Sequence, residues 1–263
     1  MKKIAAIIIL LFTSLILPAQ TFHSVIYANT NDKKIGKYAK RDIELVKQLC
    51  DSLSANLSYN LNLIVKDGNS FKVESVKEIV DSLNVEEKDI VFFYIVSHGS
   101  ANSKSEFPRV SLFNDKGRIV KISSYELYET LCHNFAHAAA IISITQACNS
   151  GRAFEPQPFQ SVLKSIKIPL NSFRSDYSRL FANKIRIISC SSQPGKTSYT
   201  GPKGSYFTRA FCSTLDLYSN NSPLLKDWEN VFVEVQKEYD KIQYAHKFKT
   251  KNLRKAVYKI QRL

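Results

Sequence analysis

The chain has 263 residues, of which 44% are hydrophobic and 23% charged, with five cysteines and a formal charge of +14. That supplies a sizeable core for one generous domain or two small ones, and it excludes a disordered or fibrous protein. The positive charge gathers at Lys33–Arg41 and Lys241–Arg262, as solvated faces and a basic tail that can attract anionic partners; no helix-turn-helix, zinc-finger or aromatic RNA-binding motif accompanies it, so no specific nucleic-acid partner is expected.

The N-terminus is a separate object. Lys2 and Lys3 precede an apolar run from Ile4 to Leu17, followed by Pro18-Ala19-Gln20-Thr21. A basic start, a short apolar stretch and small residues after it describe a secretory signal peptide over residues 1–20. The run falls short of the roughly 20 residues a spanning helix needs, which leaves an uncleaved anchor as the alternative. The expectation is a secreted or periplasmic protein with no stable membrane span after signal cleavage.

After the signal, His23 to Ala28 reads as a first strand and Asn29-Thr30-Asn31-Asp32 as a turn. Ile43, Val46, Leu49, Cys50 and Leu53 carry helical spacing through residues 37–54. Leu61 to Val65 is a second strand. Residues 73–83 are a second helix with Val73, Val76, Ile79, Val80 and Leu83 on one face, and Asp89 to Ser97 is a third strand. The alternation predicts a parallel sheet with helical crossovers. Arg109–Phe113 and Ile119–Ile122 flank Asn114-Asp115-Lys116-Gly117 and predict a hairpin; Ser123 or Ser124 then caps a helix to about Cys132. Ala138 to Thr145 is the fourth strand. Residues 152–183 hold Pro156, Pro158 and Pro169, have weak periodicity, and read as a connection open to proteolytic cutting. Lys184 to Ser189 is the fifth strand, Tyr206–Leu217 and Leu224 to about Tyr244 are helices, and residues 252–263 fit a strand or a helix equally well.

The chemistry sits at two strand ends. Ile90-Val91-Phe92-Phe93-Tyr94-Ile95-Val96 runs into Ser97-His98-Gly99, and Ala140-Ile141-Ile142-Ser143-Ile144-Thr145 runs into Gln146-Ala147-Cys148-Asn149-Ser150-Gly151. Both have the continuous apolar character of buried parallel strands, and sites in open α/β sheets form at the carboxyl ends of neighbouring strands. A histidine closing one strand and a cysteine closing the next make a thiol nucleophile, Cys148, with its base, His98. The N–H groups of Gly99 and Cys148 are the candidate oxyanion donors, Gly99 because the chain can approach closely where there is no Cβ. Cys148 is the natural free thiol of the odd five. Cys50, Cys132, Cys190 and Cys212 match no disulfide framework and read as buried apolar residues. His133 and His137 are four apart but fall on an expected turn; His23 and His246 have no partner in view. No metal site and no cofactor is expected.

These motifs resemble those of the caspase-like cysteine peptidases, the clan of caspases, metacaspases and their bacterial relatives. His98-Gly99 is similar to the family's His-Gly strand end, Cys148 within Gln146–Gly151 to its nucleophile motif, and Ile187–Ser192 with Gly204–Phe211 to the strand, substrate loop and helix of its small subunit. The resemblance implies a three-layer α/β/α sandwich around a mainly parallel six-stranded sheet and a Cys-His dyad with no obligatory third carboxylate. It divides residues 21–263 into a large-subunit-like part, 21–151, a linker, 152–183, and a small-subunit-like part, 184–263. It implies an endopeptidase, exported on the reading of residues 1–20, acting on protein or peptide substrates through a thioacyl-enzyme, with Gln146, Ser191, Ser192 and Asp42 in substrate binding; Asp42 also reads as a first-turn carboxylate favoured by the helix dipole. Metacaspases carry aspartate where Gln146 stands, and no arginine here matches those with which caspases grip a P1 aspartate, so neither P1 preference is implied. Two alternatives stay open: a catalytically silent caspase-like binding module, and a legumain- or gingipain-like peptidase of the same fold.

Overall fold

The computed structural model describes residues 20–151, 177–219, 227–249 and 252–263. Residues 1–19 and 152–176 lie outside the described residues, and with them the expected signal segment up to Gln20 and most of the expected linker. In chain order the elements are β1 (Thr21–Ala28), α1 (Gly36–Leu57), β2 (Asn60–Asp67), α2 (Val73–Ser82), β3 (Ile90–Val96), β4 (Gly99–Ser100), β5 (Arg109–Phe113), β6 (Ile119–Ser123), α3 (Ser124–Asn134), β7 (Ala140–Gln146), β8 (Ile185–Cys190), β9 (Thr200–Gly201), β10 (Gly204–Ser205), α4 (Tyr206–Ser219), α5 (Trp228–Ala245) and β11 (Val257–Arg262).

Six strands form one sheet in the order β11-β8-β7-β3-β1-β2. All neighbours are parallel except β11, which runs antiparallel to β8. The final segment is therefore a strand. Successive strand residues face opposite sides of a sheet, so a continuous apolar run feeds two cores at once. Phe22, Ile26, Phe92, Tyr94, Ile142 and Ile187 enter one core with Val46 and Leu49 of α1, Phe207 and Phe211 of α4, and Val231 and Tyr239 of α5. Val25, Val91, Phe93, Ile95 and Ile141 enter the other with Val76 and Ile79 of α2 and Leu127 and Leu131 of α3. The result is the three-layer α/β/α sandwich.

The expected hairpin is β5–β6, closed by Gly117 at φ +69° and joined by β4 into a small second sheet. Ser123 caps α3 by accepting from the Glu126 N–H at 3.2 Å. Within residues 152–183, expected as an open connection, the described end is held by contacts: Tyr177–Phe181 form a 3-10 turn, with Leu180 buried and its carbonyl accepting from the Trp228 indole N–H at 2.9 Å. His23 has partners the sequence did not reveal, Asp89 at 3.2 Å and Asn62 at 3.1 Å. His137 contacts the Val85 carbonyl at 2.5 Å, and the ring of His246 stacks on Tyr206. Among the described residues no helix is long and apolar enough to cross a membrane, and no three His, Cys, Asp or Glu side chains are grouped to hold a metal ion.

Candidate active site

Parallel pairing fixes where the two motifs meet. Val96 of β3 is opposite Gln146 of β7. Two residues further along each strand come His98 and Cys148. The strands stay stitched past their ends: Ser97 N–H donates to Gln146 O at 3.2 Å and Ala101 N–H to Ser150 O at 2.8 Å. Between them Gly99 packs directly on the Cys148 backbone. A Cβ there would stand 2.3 Å from Cys148 O and 2.8 Å from the Ala147 methyl, so only glycine fits. The sheet order also reverses at β1 and β3, and in such folds the crevice at the strand carboxyl ends is the place for a site.

Cys148 is half-buried and unpaired, as are all five thiols in the sense of disulfides. Burial pushes the Cys50 and Cys190 thiols up to about 12, so they stay protonated and inert. Cys148 instead faces the loop after β8. Its Sγ accepts a long hydrogen bond, 3.4 Å, from the Ser198 N–H, while its own N–H has no partner among the described residues. That free N–H suits an oxyanion donor. Asn149, fully buried, anchors the turn: its amide donates to Glu106 O at 2.7 Å and Ser192 O at 3.1 Å, and its backbone pairs with Lys196 and Gly195.

The proposed substrate-contacting residues divide into two kinds. Gln146 lies beside Cys148 with its Nε2 donating to Ser198 Oγ, while its buried Oε1 has no partner among the described residues. It is the one of the four with a free polar atom. Ser191 and Ser192 are fully buried and hold the strand end that leads into Cys148: Ser191 Oγ lies 3.0 Å and Ser192 Oγ 3.1 Å from Ala147 O, and Ser191 Oγ also accepts from Ala147 N–H at 3.2 Å. Asp42 stands beyond the first turn of α1, which begins at Gly36, and its surroundings are not those of a surface carboxylate. It is fully buried; Oδ1 accepts from Ser205 N–H at 2.7 Å, and Oδ2 accepts from Ser205 Oγ at 2.5 Å and Tyr94 OH at 3.3 Å. Its oxygens serve the β9–β10 hairpin and offer no exposed face to a substrate.

Three participants escaped sequence reasoning. Asp32, read there as part of a turn, lies 3.0 Å from His98 Nε2 through Oδ2. Ser198 joins Gln146, Ser191 and Cys148. Arg254, in the basic tail, braces that loop by donating to Thr197 O at 2.8 Å and stacking over the Tyr199 ring at 4.7 Å. The position of Asp32 in the turn that follows β1 was the available signal; the other two depend on contacts across fifty residues of sequence or more.

A family model described as the caspase domain matches residues 36–258. The crystal structure of caspase-1 from Spodoptera frugiperda superposes with a TM-score of 0.55 at 14% identity, covering 93% of this chain and 88% of that one. At that identity the likeness is one of fold. No curated protein matches the chain.

Proposed function

Since the chain belongs to the caspase domain family, we propose that it is a cysteine endopeptidase in which Cys148 and His98 carry the chemistry. The observation that supports this most is the register: β3 and β7 are neighbours, Val96 is opposite Gln146, and both catalytic side chains follow two residues later on the same rim. In the proposed reaction His98 takes the Cys148 thiol proton as Sγ attacks the scissile carbonyl. The oxyanion is met by the N–H groups of Cys148 and Gly99. Collapse gives a thioacyl-enzyme and expels the amine, which leaves with the proton from His98. Water, deprotonated by His98, then hydrolyses the thioester and restores the thiol. With residues 1–20 read as an export signal, the substrates are proteins or peptides met outside the cytoplasm. Incubating the full chain with a mixed peptide library and sequencing the products tests the activity; a library left intact while a thiol-reactive peptide fails to label Cys148 would sink it.

The residues around Cys148 also bear on the P1 site. Gln146, Ser191 and Ser198 bring no carboxylate to it, and Asp32 and Asp42 are engaged elsewhere. A cationic P1 side chain would lose its hydration there without gaining a charge partner. Neutral P1 residues are therefore expected to be cut at least as well as arginine or lysine. Gln146→Asp should raise the preference for basic P1 residues about tenfold through one charge-assisted pair. Cleavage confined to arginine and lysine in the parent would overturn the assignment of the pocket.

A further inference from the structure

Asp32 is doubly engaged. It sits in the loop between β1 and α1, and β1 is the strand next to the histidine strand, with Ala28 opposite Val96. Its Oδ1 accepts from the N–H groups of Lys34 at 2.7 Å and Ile35 at 2.9 Å. Its Oδ2 is left for His98 Nε2 at 3.0 Å. Partial burial opposes its charge, but the Ile35 and Lys34 amides and His98 together hold it below the usual carboxylate range. An ionised carboxylate can only accept a hydrogen bond, so the proton of a neutral His98 belongs on Nε2. Nδ1 is then the nitrogen with a free lone pair. Charged neighbours do not compete for the ring. Arg109 donates to Lys121 O, Lys121 reaches Ser100 Oγ, and Lys33 and Lys34 are exposed on the Asp32 loop. Among the described residues Asp32 is the carboxylate in ion-pair contact with His98.

We propose that Asp32 is the positioning residue for His98, so that the site works as a Cys148–His98–Asp32 triad, in contrast to the dyad the family resemblance implies. The inference rests on the peptidase reading. In it Cys148 Sγ loses its proton to His98 Nδ1, the Nε2 proton stays in the bond to Asp32, and the carboxylate, never protonated, stabilises the imidazolium that forms. Two separate jobs on two oxygens allow the catalytic one to be isolated. In Asp32→Asn the side-chain carbonyl can keep the Lys34 and Ile35 amides, but the amide nitrogen then faces Nε2 and favours the tautomer with its proton on Nδ1. Asp32→Ala loses both jobs.

The test measures peptide hydrolysis by the full-length chain and, in parallel, iodoacetamide alkylation of the Cys148-bearing peptide from pH 5 to 9. Asp32→Asn is expected to lower kcat on the order of a hundredfold with KM nearly unchanged. The alkylation midpoint should move up by about one pH unit, because the thiolate–imidazolium pair has lost its supporting charge. A loop-capping role alone predicts the opposite order, with Asp32→Asn resembling the parent in both assays and only Asp32→Ala impaired; that result overturns the triad. A parent that hydrolyses no peptide while Asp32→Asn still shifts alkylation removes the peptidase reading and retains the coupling. An active parent with no shift in Asp32→Asn does the reverse.

Discussion

Cys148→Ala should lower peptide hydrolysis at least about a thousandfold, equivalent to about 4 kcal/mol of lost transition-state stabilisation, and His98→Ala should do nearly the same. In the proposed mechanism the two act as a unit, because the thiol is a weak nucleophile until the imidazole takes its proton and the imidazole has nothing to activate once the sulfur is gone. The double variant should therefore be scarcely worse than either single one. Folding should survive. Both residues lie beyond the hydrogen-bonded ends of β3 and β7, the His98 side chain is 44% exposed, and truncation leaves the strand-end stitching of Ser97 and Ala101 in place. Steady-state rates on one good peptide, with a thermal melt of each variant, decide the matter. Near-parental turnover in Cys148→Ala would mean that another group is the nucleophile, and a lowered melt would point to a structural cause.

Much of this site was legible because a parallel sheet converts local sequence signals into spatial ones. Two fully buried strands announce themselves by continuous β-branched and aromatic runs, and the polar residue ending each run must stand on the same rim if the strands are neighbours. Hence His98, Gly99 and Cys148 could be named from short windows, as could the β5–β6 hairpin and a cap at Ser123 or Ser124, of which the structure uses Ser123. Periodicity could not decide residues 252–263, because β11 is an edge strand with mixed exposure and only its pairing with β8 defines it. The His98–Asp32 pair links residues 66 apart, and the loop contacts of Ser198 and Arg254 are similarly remote. Nothing in composition or spacing encodes which strand-end loop a given carboxylate will face. Asp42 is the sharpest case. Its position near a helix start suggested a dipole or substrate role, whereas its partner Ser205 is 163 residues away.

That burial gives Asp42 the largest expected effect on stability. Removal from water pushes its carboxyl up to about 7 from an ordinary 3.8, against the pull of the Ser205 hydroxyl and amide and of Tyr94. The folded chain therefore keeps a proton on Asp42 that the unfolded chain releases near pH 4. Between those values the native state binds more protons, so raising the pH draws the equilibrium toward unfolding. The contribution is complete below about pH 4, declines through the interval and is gone above about 7. A shift of about three pH units corresponds to on the order of 4 kcal/mol. Asp42→Asn cannot ionise, yet it keeps an acceptor for the Ser205 N–H. The difference in unfolding free energy between parent and variant should thus move by about that amount in the variant's favour from pH 4 to pH 8, on the order of 10 °C in relative melting temperature for a chain this size. Gly204, at φ +103°, lets the hairpin close on the carboxyl: a Cβ there would lie 2.8 Å from Asp42 Oδ1, and the Ser205 N–H donates to that oxygen, so ionisation of Asp42 acts directly on the β9–β10 hairpin. Because the β9–β10 hairpin directly follows the loop that carries Ser198 over Cys148, its loosening should also lower activity in the parent above pH 7, and Asp42→Asn should spare that loss. Denaturant melts of both proteins at pH 4, 6 and 8 provide the measurement. Parallel stability curves would mean that the three donors keep Asp42 ionised throughout, with hydrogen bonding outweighing burial.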